Sequence, residues 1–162
     1  MFLLKFELEI KYYNSDNHMS ESQDWWAAPT QSESDRLIMV TGRKDVKRFR
    51  ENPRFSIRVE VTWRYQGDKT GMPDFETSSL MEKVQESLET AFRKDPVAVL
   101  TGVFTGDDER NWIFYTLSTH IFGRKLNESL AEFPLLPLEI YCENDPDWEA
   151  YDEMCEAEIH LD

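Results

Sequence analysis

The residues able to do chemistry are sparse in this 162-residue chain: three histidines, His18, His120 and His160, and two cysteines, Cys142 and Cys155. Nucleophilic hydrolysis needs a Ser or Cys beside a base that is itself oriented by a third group. His120, which follows Thr119, is the candidate base, and it reads equally as a helix-start residue with its ring at the surface. His120, Cys142, Cys155 and His160 do not have the four-ligand spacing of a zinc site. No Walker loop and no Rossmann glycine pattern is present, and Gly102, Gly106 and Gly123 do not cluster as a phosphate cradle. Neither a metal nor a cofactor is expected.

The densest chemical string is Asp145-Pro-Asp-Trp-Glu-Ala-Tyr-Asp-Glu-Met-Cys-Glu156. Asp145 suits an N-cap, Pro146 a first helical position, and Asp147 and Glu149 the positive end of a helix dipole. Trp148, Tyr151 and Cys155 then share one face, so the string reads as a short amphipathic helix docking its rings on the domain. Asp145, Asp147, Glu149, Glu153 and Glu156 also occupy positions 1, 3, 5, 9 and 12 of a calcium-loop count, but the turn position that needs Gly holds Ala150.

Charge is strongly polarised. Residues 36–64 hold nine of the 18 basic residues against three acids, and residues 143–162 hold nine Asp/Glu and no Lys or Arg. Either the two stretches meet inside one domain or each faces an outside partner. The formal net charge of −14 opposes general binding to nucleic acid or anionic membrane and favours a basic protein partner. Arg54, Arg58 and Arg64 form a basic row, but the outward positions of their strand carry no ring on which a base could stack, so nucleic acid is not expected. Two cysteines make no disulfide framework, the first ten residues lack an apolar signal core, and no stretch has the length of a membrane span; the expected setting is the cytoplasm.

The elements that must position these groups follow from periodicity. Phe2, Leu4, Phe6, Leu8, Ile10 and Tyr12 alternate with polar or charged neighbours apart from Leu3, which predicts a half-buried strand, followed by a linker over 14–23. That strand must bury its apolar face on this chain's own sheet or on a second copy, giving a dimer. Residues 36–41 read as a strand and 45–51 as one or two helical turns. Over 55–65, Phe55, Ile57, Val59, Val61 and Trp63 alternate with Ser56, Arg58, Glu60, Thr62 and Arg64, one face for the core and the other for water or a partner. Ser79 and Glu82 match a capping box before the stripe Leu80, Val84, Leu88, Ala91 and Phe92. Strands over 97–104 and 111–117, a helix marked by Phe122, Leu126, Leu130 and Phe133, and a strand over 138–143 follow. Cys142 alternates with Leu138 and Ile140 and reads as core.

Gly106, the run Arg110-Asn-Trp112-Ile-Phe114-Tyr115 and the run Asp145-Pro-Asp147-Trp148-Glu149-Ala-Tyr151 resemble the bacterial domain-of-unknown-function family 695. Trp25 or Trp26, the strand end Trp63-Arg-Tyr65 and the turn Gly71-Met-Pro73 fit the same pattern, over about residues 24–155. The resemblance implies a domain boundary and no particular activity. The Asp-x-x-Trp end is loosely similar to the ribonuclease E inhibitor protein B family, small acidic proteins that act by binding an enzyme.

The order from Phe55 onward, β-α-β-β-α-β, gives an α+β expectation: a ferredoxin-like antiparallel sheet with two helices on one face, extra N-terminal strands and a short C-terminal helix. Residues 1–23 form a strand plus linker and 24–162 one α+β domain. The expected function is a non-enzymatic protein-binding or regulatory module, its binding residues drawn from Arg58, Arg64, Arg110, Trp112, Asp145, Asp147, Trp148 and Tyr151. The alternative is a small hydrolase or metal-assisted enzyme using clustered carboxylates with His120.

Overall fold

The computed structural model describes residues 24–159. The expected strand over 2–12, the dimer built on it, His18 and His160 lie outside the described residues. The fold is α+β: six strands, β1 (Trp25–Gln31), β2 (Leu37–Arg43), β3 (Ile57–Arg64), β4 (Ala98–Gly106), β5 (Glu109–Thr116) and β6 (Leu138–Asn144), form one sheet in the order β1-β2-β4-β5-β3-β6. Every pairing is antiparallel. Four described helices accompany it: α1 (Lys47–Arg50), α2 (Phe75–Lys94), α3 (Thr119–Ser129) and α4 (Glu149–Ile159).

The period-two pattern of β3 works as read. Val59, Val61 and Trp63 point into a core shared with Val84 and Leu88 of α2 and with Phe122 of α3. Trp112 and Phe114 of β5 join them, and Phe92 stacks on Phe122 at 5.3 Å. Phe55, expected on that face, instead packs on the other side of the sheet with Phe49 and Trp148. It precedes the first paired residue of β3, so no ladder fixes its direction.

α2 begins earlier than its expected capping box. Asp74 follows the Gly71–Pro73 turn and accepts the Thr77 amide at 2.7 Å, and Ser78 N–H already donates to Asp74 C=O. Ser79 and Glu82 therefore lie inside a helix that has already nucleated. β4 and β5 are joined by Asp107 and Asp108 alone, both at positive φ (52° and 69°), the two-residue turn whose twist suits a hairpin. Arg36, in the β1–β2 connection, holds both carboxylates at 3.1 Å.

The second face of the sheet is covered by α1 and α4. α4 packs mainly over β1, β2 and β4. Its close approach depends on Gly102, where a side chain would overlap the Met154 sulfur; at Gly42 a side chain would overlap the ring of Trp26 on the neighbouring β1. The expected start of α4 needs correction. Asp145 accepts the Glu149 and Ala150 amides at 2.9 and 3.0 Å, but the helix begins only at Glu149. Residues 145–148 form a turn, closed by Trp148 N–H on Asp145 C=O, with Trp148 at φ 57°. Pro146 thus lies in the turn rather than in the helix. Met154 joins Tyr151 in the buried face of α4, and Cys155 packs half-buried against the same cluster. Cys142 is exposed, as are its neighbours Ile140 and Tyr141. β6 is an edge strand, and alternation alone does not say how much cover an edge receives.

Trp148 is wholly buried, donates Nε1–H to the Phe55 carbonyl at 2.8 Å and stacks on Tyr115. Trp148→Ala is expected to cost about 3–5 kcal/mol in urea unfolding, and Cys142→Ala, at an exposed site, within about 0.5 kcal/mol. Equal costs for the two would contradict this placement of the C-terminal segment.

Candidate functional site

α4 covers only part of the face formed by β1, β2 and β4. Beside it a groove of about 720 Å³ runs from those strands across β5 to Arg58 and Glu60 of β3 and Glu143 of β6. Ile38, Val40, Phe104 and Ile113 give its floor an apolar strip, and Met154 and Ala157 of α4 make one wall. Across the sheet, register places Ile113 of β5 beside Glu60 of β3 and then Tyr141 of β6. The next row runs Phe104, Asn111, Thr62 and Glu139.

Among the described residues, Arg58 is the only basic one lining the groove. It donates Nε–H to Glu143 at 2.9 Å and Nη1–H to Glu60 at 3.1 Å, and its guanidinium lies 5.9 Å from the Tyr141 ring centre. Tyr141 O–H in turn donates to Glu143. Further along, Thr62 O–H donates to Asn111 Oδ1 at 2.6 Å and Asn111 Nδ2–H to Glu109 at 3.1 Å. Six carboxylates line the groove: Glu60, Asp107, Glu109, Glu143, Glu153 and Glu156. Arg36 holds Asp107 and Arg64 lies 3.5 Å from Glu109, so the net negative charge of the groove comes chiefly from Glu153 and Glu156 of α4, with apolar surface between.

At the root of α4, Tyr115 O–H donates to Asp145 Oδ2 at 2.5 Å, and its ring lies 4.0 Å from that of Trp148. Tyr151 O–H donates to the Arg43 carbonyl. Burial raises the Asp145 carboxyl, but the Tyr115 hydroxyl, the Ala150 and Glu149 amides and nearby Arg58 outweigh it and leave the group below its ordinary value. Burial and the Asp145 charge hold the Tyr115 phenol well above the ordinary tyrosine range.

The expected binding residues separate. Arg58 and Tyr151 line the groove, and Asp145 and Trp148 build the joint below it. Arg64 lies on the same face, exposed, with Glu139 and Glu109. Asp147 is exposed in the turn before α4, its carbonyl accepting from Arg50. Arg110 and Trp112 face the opposite side, in the core: Arg110 Nε–H donates to Thr105 Oγ1 and Trp112 Nε1–H to Gln85. His120 is exposed at the start of α3 and does not line the groove. Among the described residues no group of three or more His, Cys, Asp or Glu is placed to hold a metal ion. No described helix is long and apolar enough to cross a membrane.

The sequence reading did not single out Glu60 and Glu143 as site residues, nor Tyr141, Ile113, Phe104 and Met154. Glu60 was within reach, since it shares Arg58's side of β3 by period two. The others arrive through long-range register that no local pattern encodes.

The lowered Asp145 value sets a pH dependence. A carboxyl whose folded value is depressed adds stability above its unfolded value, and that stability is lost as pH falls through the folded one. At pH 7, Asp145→Asn is expected to lower stability by about 1–3 kcal/mol. The gap from wild type should narrow on acidification below about pH 4. Urea melts at several pH values measure it, and a gap that stays constant would show that the Asp145 charge is not held as described.

No curated protein and no solved structure matches the chain. A family model matches residues 23–154, which include the Arg110–Tyr115 run and the whole Asp145–Tyr151 run, and the protein belongs to the family of unknown function DUF695.

Proposed function

We propose that this protein is a non-enzymatic binding module, with a regulatory role in the cytoplasm, that takes a basic and partly apolar segment of a partner protein into the groove beside α4. One observation carries the reading: among the described residues six carboxylates, an apolar floor and one base, Arg58, line the groove, and while Arg58, Arg36 and Arg64 serve Glu60, Glu143, Asp107 and Glu109, no ion pair among the described residues engages Glu153 or Glu156. A Lys or Arg side chain entering there exchanges water for carboxylate partners, while its aliphatic stem or an apolar neighbour covers Ile113 and Phe104. The overall charge of −14 steers such a partner inward. The loose similarity of the Asp-x-x-Trp end to an enzyme-binding acidic family points the same way. The order β4-β5-β3-β6, with α2 between β3 and β4 and α3 between β5 and β6, supports reading this part as a ferredoxin-like unit.

The test uses two labelled peptides, one alternating Lys with Leu and one alternating Glu with Leu, followed by fluorescence anisotropy. The Lys peptide is expected to bind, more weakly as salt rises, and about tenfold more weakly to the doubly substituted Glu153→Lys, Glu156→Lys protein. In pull-downs from the source cell, a basic protein should be retained by wild type and lost with the same variant. Equal binding of both peptides, or no effect of the charge reversal, would contradict the reading.

A further inference from the structure

A sheet edge offers backbone N–H and C=O groups to any strand that can reach them, and the edges of this sheet are β1 and β6. Which groups point outward follows from the bonds that continue the ladders. Asp145 N–H donates to Ser56 C=O, and Tyr65 N–H to Asp108 C=O. In an antiparallel ladder a residue turns both its groups to the same neighbour, and successive residues alternate. The even-numbered residues of β3 therefore bond β6, and the odd-numbered ones bond β5. On β6, Glu139, Tyr141 and Glu143 turn to β3, while Ile140 and Cys142 turn their N–H and C=O outward. The Leu138 C=O also points outward, and Leu138 N–H donates to Leu136 C=O at 2.9 Å. Among the described residues no strand pairs with β6 on that side.

The two edges are not alike. Lys44 N–H donates to Asp24 C=O and Ser32 N–H to Arg36 C=O, which turns the even-numbered residues of β1 to β2. Pro29 thus sits at an outward position of β1 and has no N–H to offer. β6 carries no such guard. Its two glutamates are already held, Glu139 by Arg64 and Glu143 by Arg58. Leu138, Ile140 and Cys142 oppose Trp63, Val61 and Val59, so they lie on the face that carries α2 and α3. Leu138 packs on that core, but Ile140 is 46% exposed and Cys142 is exposed too.

We propose that this edge pairs with itself: β6 of two copies of the chain join antiparallel about a two-fold axis at Ile140, making one sheet continuous through a symmetric dimer. The register is self-complementary. Ile140 opposes Ile140, and Leu138 opposes Cys142 of the second copy, so the apolar strip covers itself. On the groove face Glu139 opposes Tyr141. Moving the axis by one residue sets Glu139 against Glu143 or against itself, and like charges directly opposite are destabilising. The outward groups fit the same register: the two Ile140 residues exchange both their bonds, and each Cys142 N–H meets the Leu138 C=O of the second copy. One strand pair of this size makes a weak dimer rather than a permanent one. The charge of −14 on each copy opposes it and is screened by salt, so the dimer tightens as salt rises. The proposal does not depend on what the groove binds.

The test follows amide hydrogen exchange by NMR on the full chain at increasing concentration, alongside sedimentation velocity. The Ile140 and Cys142 amides are expected to exchange fast in dilute solution and to gain protection as dimer forms, while Tyr141 N–H, bonded to β3, stays protected throughout. Ile140→Lys sets two cations face to face on the axis and is expected to weaken the dimer about tenfold or more. Tyr141→Lys sets a cation opposite Glu139 of the second copy and is expected to tighten it about two- to fivefold. Fast exchange at Ile140 at every concentration overturns the proposal. Full protection already in dilute solution overturns it as well, because the edge is then taken within one chain, as it would be if residues 2–12 paired with it. A dimer that Ile140→Lys leaves intact lies elsewhere on the molecule, and a dimer that Tyr141→Lys weakens contradicts the register.

Discussion

The fold of the second face depends on one contact: the Tyr115 side chain of β5 against the turn that starts the C-terminal helix. Its ring stacks on Trp148 at 4.0 Å, and its hydroxyl meets Asp145, whose carboxylate also caps the Glu149 and Ala150 amides. Trp148 then reaches the Phe55 carbonyl and Tyr151 the Arg43 carbonyl. Four residues thus fix where α4 starts and which strands it crosses. What α4 leaves uncovered is the groove, so the shape of the candidate site follows from the position of this joint.

The polarity of the sequence largely closes on itself here. Arg50 holds Asp152 with two 2.7 Å hydrogen bonds, Lys44 meets Glu158 at 3.1 Å, and Arg58 meets Glu143 at 2.8 Å. Each joins the basic stretch to the acidic end. The two more exposed pairs, Arg50–Asp152 and Lys44–Glu158, are worth about 0–1 kcal/mol each, less than the burial of one large ring at about 3–5 kcal/mol. The rings therefore hold α4, and the ion pairs select its register. Of the acids not used in this way, Glu153 and Glu156 line the groove, which is why its field stays negative.

Much of this was legible because short-range physics wrote it. The alternation of β3 predicted both its core face and the outward placement of Arg58. Asp145 was recognisable as a cap because few other residues accept two amides at a helix start, although the Trp148 turn that delays the helix has no local signature. The Arg-x-Trp-x-Phe run reads as a source of binding residues, yet the same period of two puts Arg110, Trp112 and Phe114 together in the core. Period alone does not tell which face the helices cover. Cys142 failed for a related reason: its pattern is that of a core strand, and only the strand order reveals β6 as an edge.

The most direct test of the joint is a double-mutant cycle in urea unfolding with Tyr115→Phe, Asp145→Asn and the two combined. If the hydroxyl–carboxylate contact anchors α4, the two changes share one interaction, and the coupling should be about 1–3 kcal/mol. Additivity within about 0.5 kcal/mol would contradict it, and with it the account of how the groove acquires its shape.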